Sequence, residues 1–376
     1  MSETDTRLCL ALHSIPDFPA SQLRKLLLQC GGPDAVFSAG RQAWRHAGLP
    51  AQACDAIELA FECGGHPASE WTVERSHDAM ASVAAGVLAI TDSRYPVLLR
   101  TIPDPPPLLY YRGDPGVFHL PGIAMVGSRK ASPAGLRLAG ELASAAAGAG
   151  LAVTSGLALG IDGAAHQGAL AGGGATVAVM ATGVEQVYPR RHRALAAQIA
   201  ELGCLLTEFP PGVPPLRGNF PRRNRLISGL SLATVVIEAA LPSGSLLTAG
   251  TALEQGRDVF AAPWSIFHPN GRGCLRLIRD GAGVLESIEA IISELDALYQ
   301  LQLELQVSPP TNASQEPLPS SHATLLSLIG DHAVDLDTLV ADCGMPVAVV
   351  LAGLSALELR GSIARVPGGY ALTGGD

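Results

Sequence analysis

Lysine is almost missing. Of 25 basic residues in the 376-residue chain only two, Lys25 and Lys130, are lysines. Charge of either sign is scarce at 16%, and the balance is acidic, with a formal net charge of −9. That balance argues against a general polyanion coat. It allows a focused basic groove, because counterions are displaced only where cations sit. Scarce charge beside 48% hydrophobic residues excludes a disordered chain, and the length is that of two or three domains. Cys-x-x-Cys pairs are absent among the seven cysteines, whose number is odd and spacing irregular. This excludes a structural zinc or a disulfide framework and reads as reduced thiols in a cytoplasmic protein. No apolar run approaches the roughly 18 residues of a membrane span, and the polar start at residues 1–7 is not that of a signal peptide. Two nucleotide motifs are also missing: the Gly-x-Gly-x-x-Gly fingerprint after the first core strand and the Walker lysine loop. Their absence disfavours a nicotinamide or nucleoside-triphosphate enzyme, and no cofactor is expected.

One stretch lacks acid altogether. From Phe209 to Ile237 there is no Asp or Glu, yet Arg217, Arg222, Arg223 and Arg225 lie within it around Phe220. Guanidinium forks match phosphate oxygens, and a ring among them offers a surface for a base. A solvated, arginine-rich helix start would look similar; the missing counter-charges and the embedded ring favour the binding reading.

The chain divides by pattern. Residues 1–75 read as short helices, a SAM/helix-hairpin-helix-like module: Leu23, Leu26 and Leu27 keep helical spacing, and Gly31-Gly32-Pro33 stops that helix. Residues 76–121, with strand-like pieces near Val87 to Ile90 and Leu108 to Tyr111 flanking Pro103 and Pro105 to Pro107, read as a connecting entry segment to a core spanning 76–305. From Gly122 the pattern alternates short apolar strands with helices, predicting an α/β fold: an extended Rossmann-like, doubly wound, mostly parallel sheet. Ser132 and Pro133 start one of its helices. Residues 306–321, polar and carrying four prolines, read as a linker. Residues 322–376 read as three helices and a two-strand wing around Pro367-Gly368-Gly369, a winged-helix-like domain.

In such a sheet ligands bind outside the carboxyl ends of the strands. Four turns there are candidates: Gly127-Ser128-Arg129, Ser155-Gly156 running on to Gly160, Asn219-Phe220 with the arginines after it, and Ser243-Gly244-Ser245 before Thr248. Glycine turns and helix N-termini present oriented N–H groups to phosphates. Asp162 and His166, four apart on one helix, read as structural hydrogen-bonding groups, since no second ligand pair accompanies them. His192, within Arg190-Arg191-His192-Arg193, adds to the positive face.

Taken together, Met125-Val-Gly-Ser-Arg129, Ser155 through His166, Thr182 through Pro189, Phe220 through Leu230, Glu238 with Ser243 through Thr248, and Arg272-Gly-Cys274 resemble the DNA-processing protein A (DprA, also called Smf) family. The resemblance covers about residues 85–290 and implies a non-catalytic single-stranded DNA-binding protein. It implies protection of incoming strands, loading of a RecA-type recombinase during natural transformation, and a homodimer. Carried over residue by residue, Ser128, Arg129, Gly156, Phe220, Arg222, Arg223, Asn224, Arg225, Ser243 and Gly244 would line the DNA groove. The turn argument adds Asn219 and Ser245. Glutamate at both Arg222 and Arg223 is expected to remove most binding and spare the fold.

Two features depart from the family pattern. Trp264 follows Pro263 where the family reads Pro-Gly, and residues 322–376 carry six acids against Arg360 and Arg365. A tail so acidic is expected to contact protein, or help the chain dimerise, more than it grips duplex DNA. The alternative class is a nucleotide-processing hydrolase on a lysine-decarboxylase-like scaffold, with Glu254 as its catalytic carboxylate.

Overall fold

The computed structural model describes residues 3–63 and 72–295 and, past them, single positions and short runs between 325 and 372. It separates into two units, Met1–Pro309 and Pro310–Asp376.

The first unit is organised by one nine-stranded sheet. Its strands are β1 (Ala85–Ala89), β2 (Leu108–Gly113), β3 (Gly122–Val126), β4 (Ala152–Ser155), β5 (Thr176–Val179), β6 (Cys204–Thr207), β7 (Ala233–Val236), β8 (Asp258–Ala261) and β9 (Gly283–Val284), in the order β1-β2-β6-β5-β4-β3-β7-β8-β9. β3 to β7 are buried at every position, as a parallel sheet covered on both faces requires. From β6 through β9 every pairing is parallel. The entry segment is more than a connection: β1 and β2 join the sheet as an antiparallel edge against β6.

Alternation along each strand sorts the helices into layers. Among the described residues five helices precede the sheet: α1 (Glu3–His13), α2 (Ala20–Cys30), α3 (Pro33–His46, kinked at Gly40), α4 (Ala51–Glu62) and α5 (Val73–Ala81). α6 (Val97–Arg100) lies in the entry segment. Within the alternating core come α7 (Pro133–Gly148), α8 (Ile161–Ala171), α9 (Arg193–Leu202), α10 (Asn219–Gly229), α11 (Gly244–Glu254), α12 (Arg272–Arg279) and α13 (Ile288–Glu294). Ile123, Met125, Val153 and Val235 pack with α7, α8 and α13, while Ala124, Val126 and Val236 pack with α10, α11 and the N-terminal helices. His13 of α1 meets Tyr110 of β2, Nδ1 to Oη at 2.7 Å, which ties the helical module to the sheet edge.

The chain winds from β3 through β6 in one direction, then returns to the other side of β3 as β7. The carboxyl ends of β3 and β7 therefore flank the point where the strand order reverses, the place where a doubly wound sheet opens a crevice.

In the second unit, Leu325, Ile329, Leu339, Val350, Leu354 and Leu357 form one apolar cluster. A helix over Leu336–Cys343 and an antiparallel hairpin, Ile363–Val366 with Gly369–Leu372, belong to it. Val334 bridges to Tyr370. The expected 306–321 linker, the Pro367-Gly368 turn and most of the expected third helix, Val347–Leu359, lie outside the described residues.

Candidate nucleic-acid interface

All four expected turns reach one cleft of about 610 Å³ at the β3/β7 crevice, the Ser155-to-Gly160 turn only through Ala158. Its walls come from Gly127 to Lys130 after β3, from one side of α10, and from Ser243 to Ser245 at the start of α11. Ser132 starts α7 as expected, its Oγ accepting from Gly135 N at 3.0 Å. Behind that cap the carboxylate of Glu238, fully buried at the end of β7, accepts from Ser132 N at 3.1 Å and from Asn270 Nδ2 at 3.2 Å, and also from Ser132 Oγ. A methyl on Gly135 would stand 2.3 Å from Glu238 Oε1. Gly160, at φ +81°, could not carry one either, since it would come within 2.2 Å of the Ser128 carbonyl oxygen. The Ser128–Arg129 turn is thus held from beneath.

Helix α10 sorts the arginines by its 3.6-residue period. Phe220, Arg223, Asn224 and Ile227 fall on the face that lines the cleft. Arg222 and Arg225 face elsewhere, toward the buried Glu208, at 3.1 Å and 2.5 Å. Arg222 also lies over the Phe209 ring, 5.5 Å from its centroid. Arg225 reaches the Asp104 carbonyl oxygen and lies 3.9 Å from its carboxylate. The counter-charges missing from 209–237 are therefore present, supplied by Glu208, one residue outside that window, and by Asp104 from the entry segment. Burial raises the Glu208 carboxyl pKa, and Arg225 and Arg222 pull it back.

Arg223 departs from expectation most sharply. It lines the cleft floor but is 4% exposed. Its Nη1 donates to the Gly156 carbonyl at 2.7 Å and also to that of Val179. Burial pushes its pKa down to about 10, against the pull of Asp162, with Arg129 adding to the fall. It remains a cation at neutral pH, and its work is to clamp the ends of β4 and β5. Gly156 is likewise spent: its N–H donates to Asp162 Oδ2 at 3.1 Å, and a methyl there would meet Arg223 at 2.7 Å. It does not line the cleft. Asn219 also turns away, donating from Nδ2 to the Ala181 carbonyl at 3.2 Å.

Four groups are positioned for a polyanion with bases. Arg129 and Lys130 are exposed and enter no ion pair among the described residues. The Arg129 guanidinium lies 5.4 Å from the Phe220 ring centroid, within cation–π range. The start of α11 supplies the third group; Ser243 Oγ caps Ser245 N at 3.2 Å and lies 2.5 Å from Ser245 Oγ. The fourth is Tyr188, about half exposed, whose ring meets Phe220 edge-on at 5.7 Å and 61°. Sequence reasoning passed over Lys130 and Tyr188 as site residues. Lys130 offered the signal of being one of two lysines, and Tyr188 lies within Thr182 through Pro189, a motif singled out above for other reasons.

The remaining expectations resolve by geometry. Asp162 accepts from Gly156 N and Ala158 N, and His166 Nδ1 meets Thr176 Oγ1 at 2.7 Å, so both are structural. Thr176 spends its one proton on the Val153 carbonyl; His166 therefore donates from Nδ1. Trp264 is absorbed rather than disruptive: its Nε1 donates to the Ile237 carbonyl at 2.5 Å and its ring stacks on His268 at 4.4 Å. Glu254, the carboxylate a hydrolase would need, is exposed at the far end of α11 and does not line the cleft. At 1.5 Å per residue that end is about 15 Å from the Ser243 turn.

The family described as DNA recombination-mediator protein A matches residues 86–296, and the DprA winged helix domain matches residues 309–369. The chain is similar to Protein Smf of Escherichia coli (strain K12), 43% identical over 281 residues, covering 73% of this chain and 74% of that protein. Its fold is similar to the X-ray structure of DNA processing protein A from Streptococcus pneumoniae, with a TM-score of 0.63 and 30% identity over 77% of this chain and 98% of that one. It is also similar to DNA processing protein A from Helicobacter pylori, a protein described for its single-stranded DNA binding mode. There the TM-score is 0.51 and the identity 27%, over 57% of this chain and 96% of that one.

Proposed function

The chain belongs to the DNA recombination-mediator protein A family (DprA/Smf), and from that premise we propose that it binds single-stranded DNA in the β3/β7 cleft without breaking a bond. The observation that carries the reading is the Arg129–Phe220 pair, a cation 5.4 Å from a ring, on a wall of that cleft. Arg129, Lys130 and the amides opening α11 would meet phosphates. Phe220 would take the face of a base, an interaction every base can make. Contacts of these kinds carry little sequence information. Among the described residues Asp162 is the one carboxylate in the cleft wall, and it already accepts two backbone N–H groups, which supports a binding role over hydrolysis.

The reading extends to protection of incoming strands in natural transformation and to loading of a RecA-type recombinase by a homodimer in the cytoplasm. The family's description as a recombination mediator supports the loading step, and the free cysteines fit a reducing compartment. Among the described residues no helix is long and apolar enough to cross a membrane.

The test is a titration with fluorescent oligothymidine. Phe220→Ala is expected to weaken binding about five- to hundredfold, the ~1–3 kcal/mol of one stacked base, and Arg129→Ala to weaken it and flatten its salt dependence. Wild-type affinity in both variants would remove the cleft from the binding surface. Loading is then read as recombinase filament growth on single strands, which the Phe220→Ala variant should fail to stimulate.

A further inference from the structure

The loop between β8 and α12 holds the most exposed large apolar side chain among the described residues. Phe267 is 87% exposed, and Ile266 beside it 69%. A ring left in water adds little to folding, yet the loop beneath it is pinned throughout. At one end Trp264 bonds the Ile237 carbonyl and stacks on His268. At the other, Asn270 donates from Nδ2 to the Lys130 carbonyl at 3.0 Å, and its own carbonyl accepts from Ala239 N at 2.8 Å. The two ends touch, since a methyl on Gly271 would stand 2.5 Å from Trp264 Cβ. Within that frame Phe267 N donates to Ser265 Oγ at 3.3 Å. The ring is therefore offered outward on a fixed backbone, which lowers the ordering cost of any contact it makes. Trp264, standing where the family reads glycine, supplies the stack under His268 that holds the loop.

Two observations say what the ring faces. Asn270 lines the β3/β7 cleft while it grips the backbone of Lys130, so the loop continues the cleft wall. The charge around it is of one sign. From Val259 to Arg279 there is no Asp or Glu, and Arg272, exposed at the start of α12, enters no ion pair among the described residues. Arg276 and Arg279, by contrast, share Asp280 at 3.3 Å and 3.5 Å. A second copy meeting this loop about a two-fold axis would set cation against cation. A ring beside unpaired cations suits a polyanion that carries bases.

We propose that the 264–272 loop is a stacking platform that lengthens the cleft: a nucleotide beyond those in the cleft lays its base on Phe267 and its phosphate on Arg272. The proposal rests on the cleft reading above and adds a contact on the Lys130 side of it.

The experiment titrates the full chain and its variants with fluorescent oligothymidine of about twenty nucleotides, longer than the ~4–16 that such platforms hold, at several salt concentrations. Phe267→Ala should weaken binding about tenfold, the loss of one stacked base. Phe267→Leu, which keeps apolar bulk without a π-face, should lose as much, and Phe267→Tyr should bind as wild type. Arg272→Ala should lower the log–log salt slope by about 0.7, one phosphate's worth. Arg276→Ala, already paired with Asp280, controls for net charge and should leave the slope unchanged. In Phe267→Trp, unlabelled oligothymidine should quench the added indole emission, and an abasic sugar–phosphate strand of equal length should not. Wild-type affinity in Phe267→Ala beside weakened binding in Phe220→Ala overturns the platform and leaves the cleft intact. Wild-type affinity in Phe267→Ala, Phe220→Ala and Arg129→Ala alike overturns both. Affinity restored by leucine, or a changed sedimentation of the DNA-free Phe267→Ala chain, gives the surface to a protein partner and overturns the platform.

Discussion

At the scale of single residues, four arginines that look equivalent in the sequence divide by what surrounds them. Arg217 is exposed, Arg222 and Arg225 share Glu208, and Arg223 is closed over by the sheet. Removing Arg223 leaves the Gly156 and Val179 carbonyls without their partner and Asp162 without its nearby cation. Arg223→Gln should therefore destabilise the fold by about 3 kcal/mol, the cost of stripping one member from a buried charged network. Arg222→Ala, at an exposed site, should cost under about 1 kcal/mol. Urea denaturation of the two variants separates them, and equal midpoints would show that Arg223 is no clamp. Paired glutamates at 222 and 223 should therefore unfold the chain, contrary to the sequence expectation that they spare it. The sequence could have separated these roles, because i, i+3, i+4 spacing from Phe220 along α10 picks out Arg223 and Asn224. It could not have paired Arg225 with Asp104, which is remote in sequence and joined only by folding.

At the scale of elements, the strands and their turns were legible because buried parallel strands read as short apolar runs closed by glycine. The alternating strands and helices expected from Gly122 onward are present, Ser132 caps the helix it was expected to start, and Ser243 caps α11. The antiparallel edge formed by β1 and β2 was not legible. Its register depends on β6, about 90 residues downstream in the chain, a long-range pairing that local composition does not encode. Gly160 joins two such elements, turning β4 into α8 beneath the Ser128–Arg129 turn. Gly160→Ala would need a left-handed backbone, at about 1–2 kcal/mol, and would press a methyl on the Ser128 carbonyl. We expect loss of stability together with at least tenfold weaker oligothymidine binding, since the displaced turn carries Arg129. Unfolding midpoint and affinity measured on the same preparation check this; a shift in stability alone would mean that the turn's position does not matter for binding.

At the scale of the whole molecule, a buried histidine, His166, and a partly buried one, His13, make stability depend on pH. Burial lowers His166 to about 3 from the ordinary 6.5, with His192 and Arg223 adding to it, and lowers His13 to about 4, helped by Arg222. The unfolded chain binds these protons below pH 6.5 while the folded chain refuses them, so stability is present above about 6.5 and falls as pH drops toward 4. Asp162 and Glu208 work the other way, because burial raises their carboxyl pKa in the fold. Comparing wild type with His166→Gln isolates one histidine: the wild-type advantage should shrink by about 1–2 kcal/mol between pH 7 and pH 5. A constant difference would mean that His166 takes up its proton in the fold as readily as in the unfolded chain.

The net charge of −9 and the exposed Arg129 and Lys130 set up the central test, since affinity must come from a few local cations against a repelling background. The most direct measurement is the affinity for oligothymidine and for duplex of equal length as salt is raised. The account predicts preference for the single strand, with a log–log slope that corresponds to a handful of phosphates at about 0.7 each. Equal or tighter binding of duplex, or single-strand affinity that ignores salt, would contradict it.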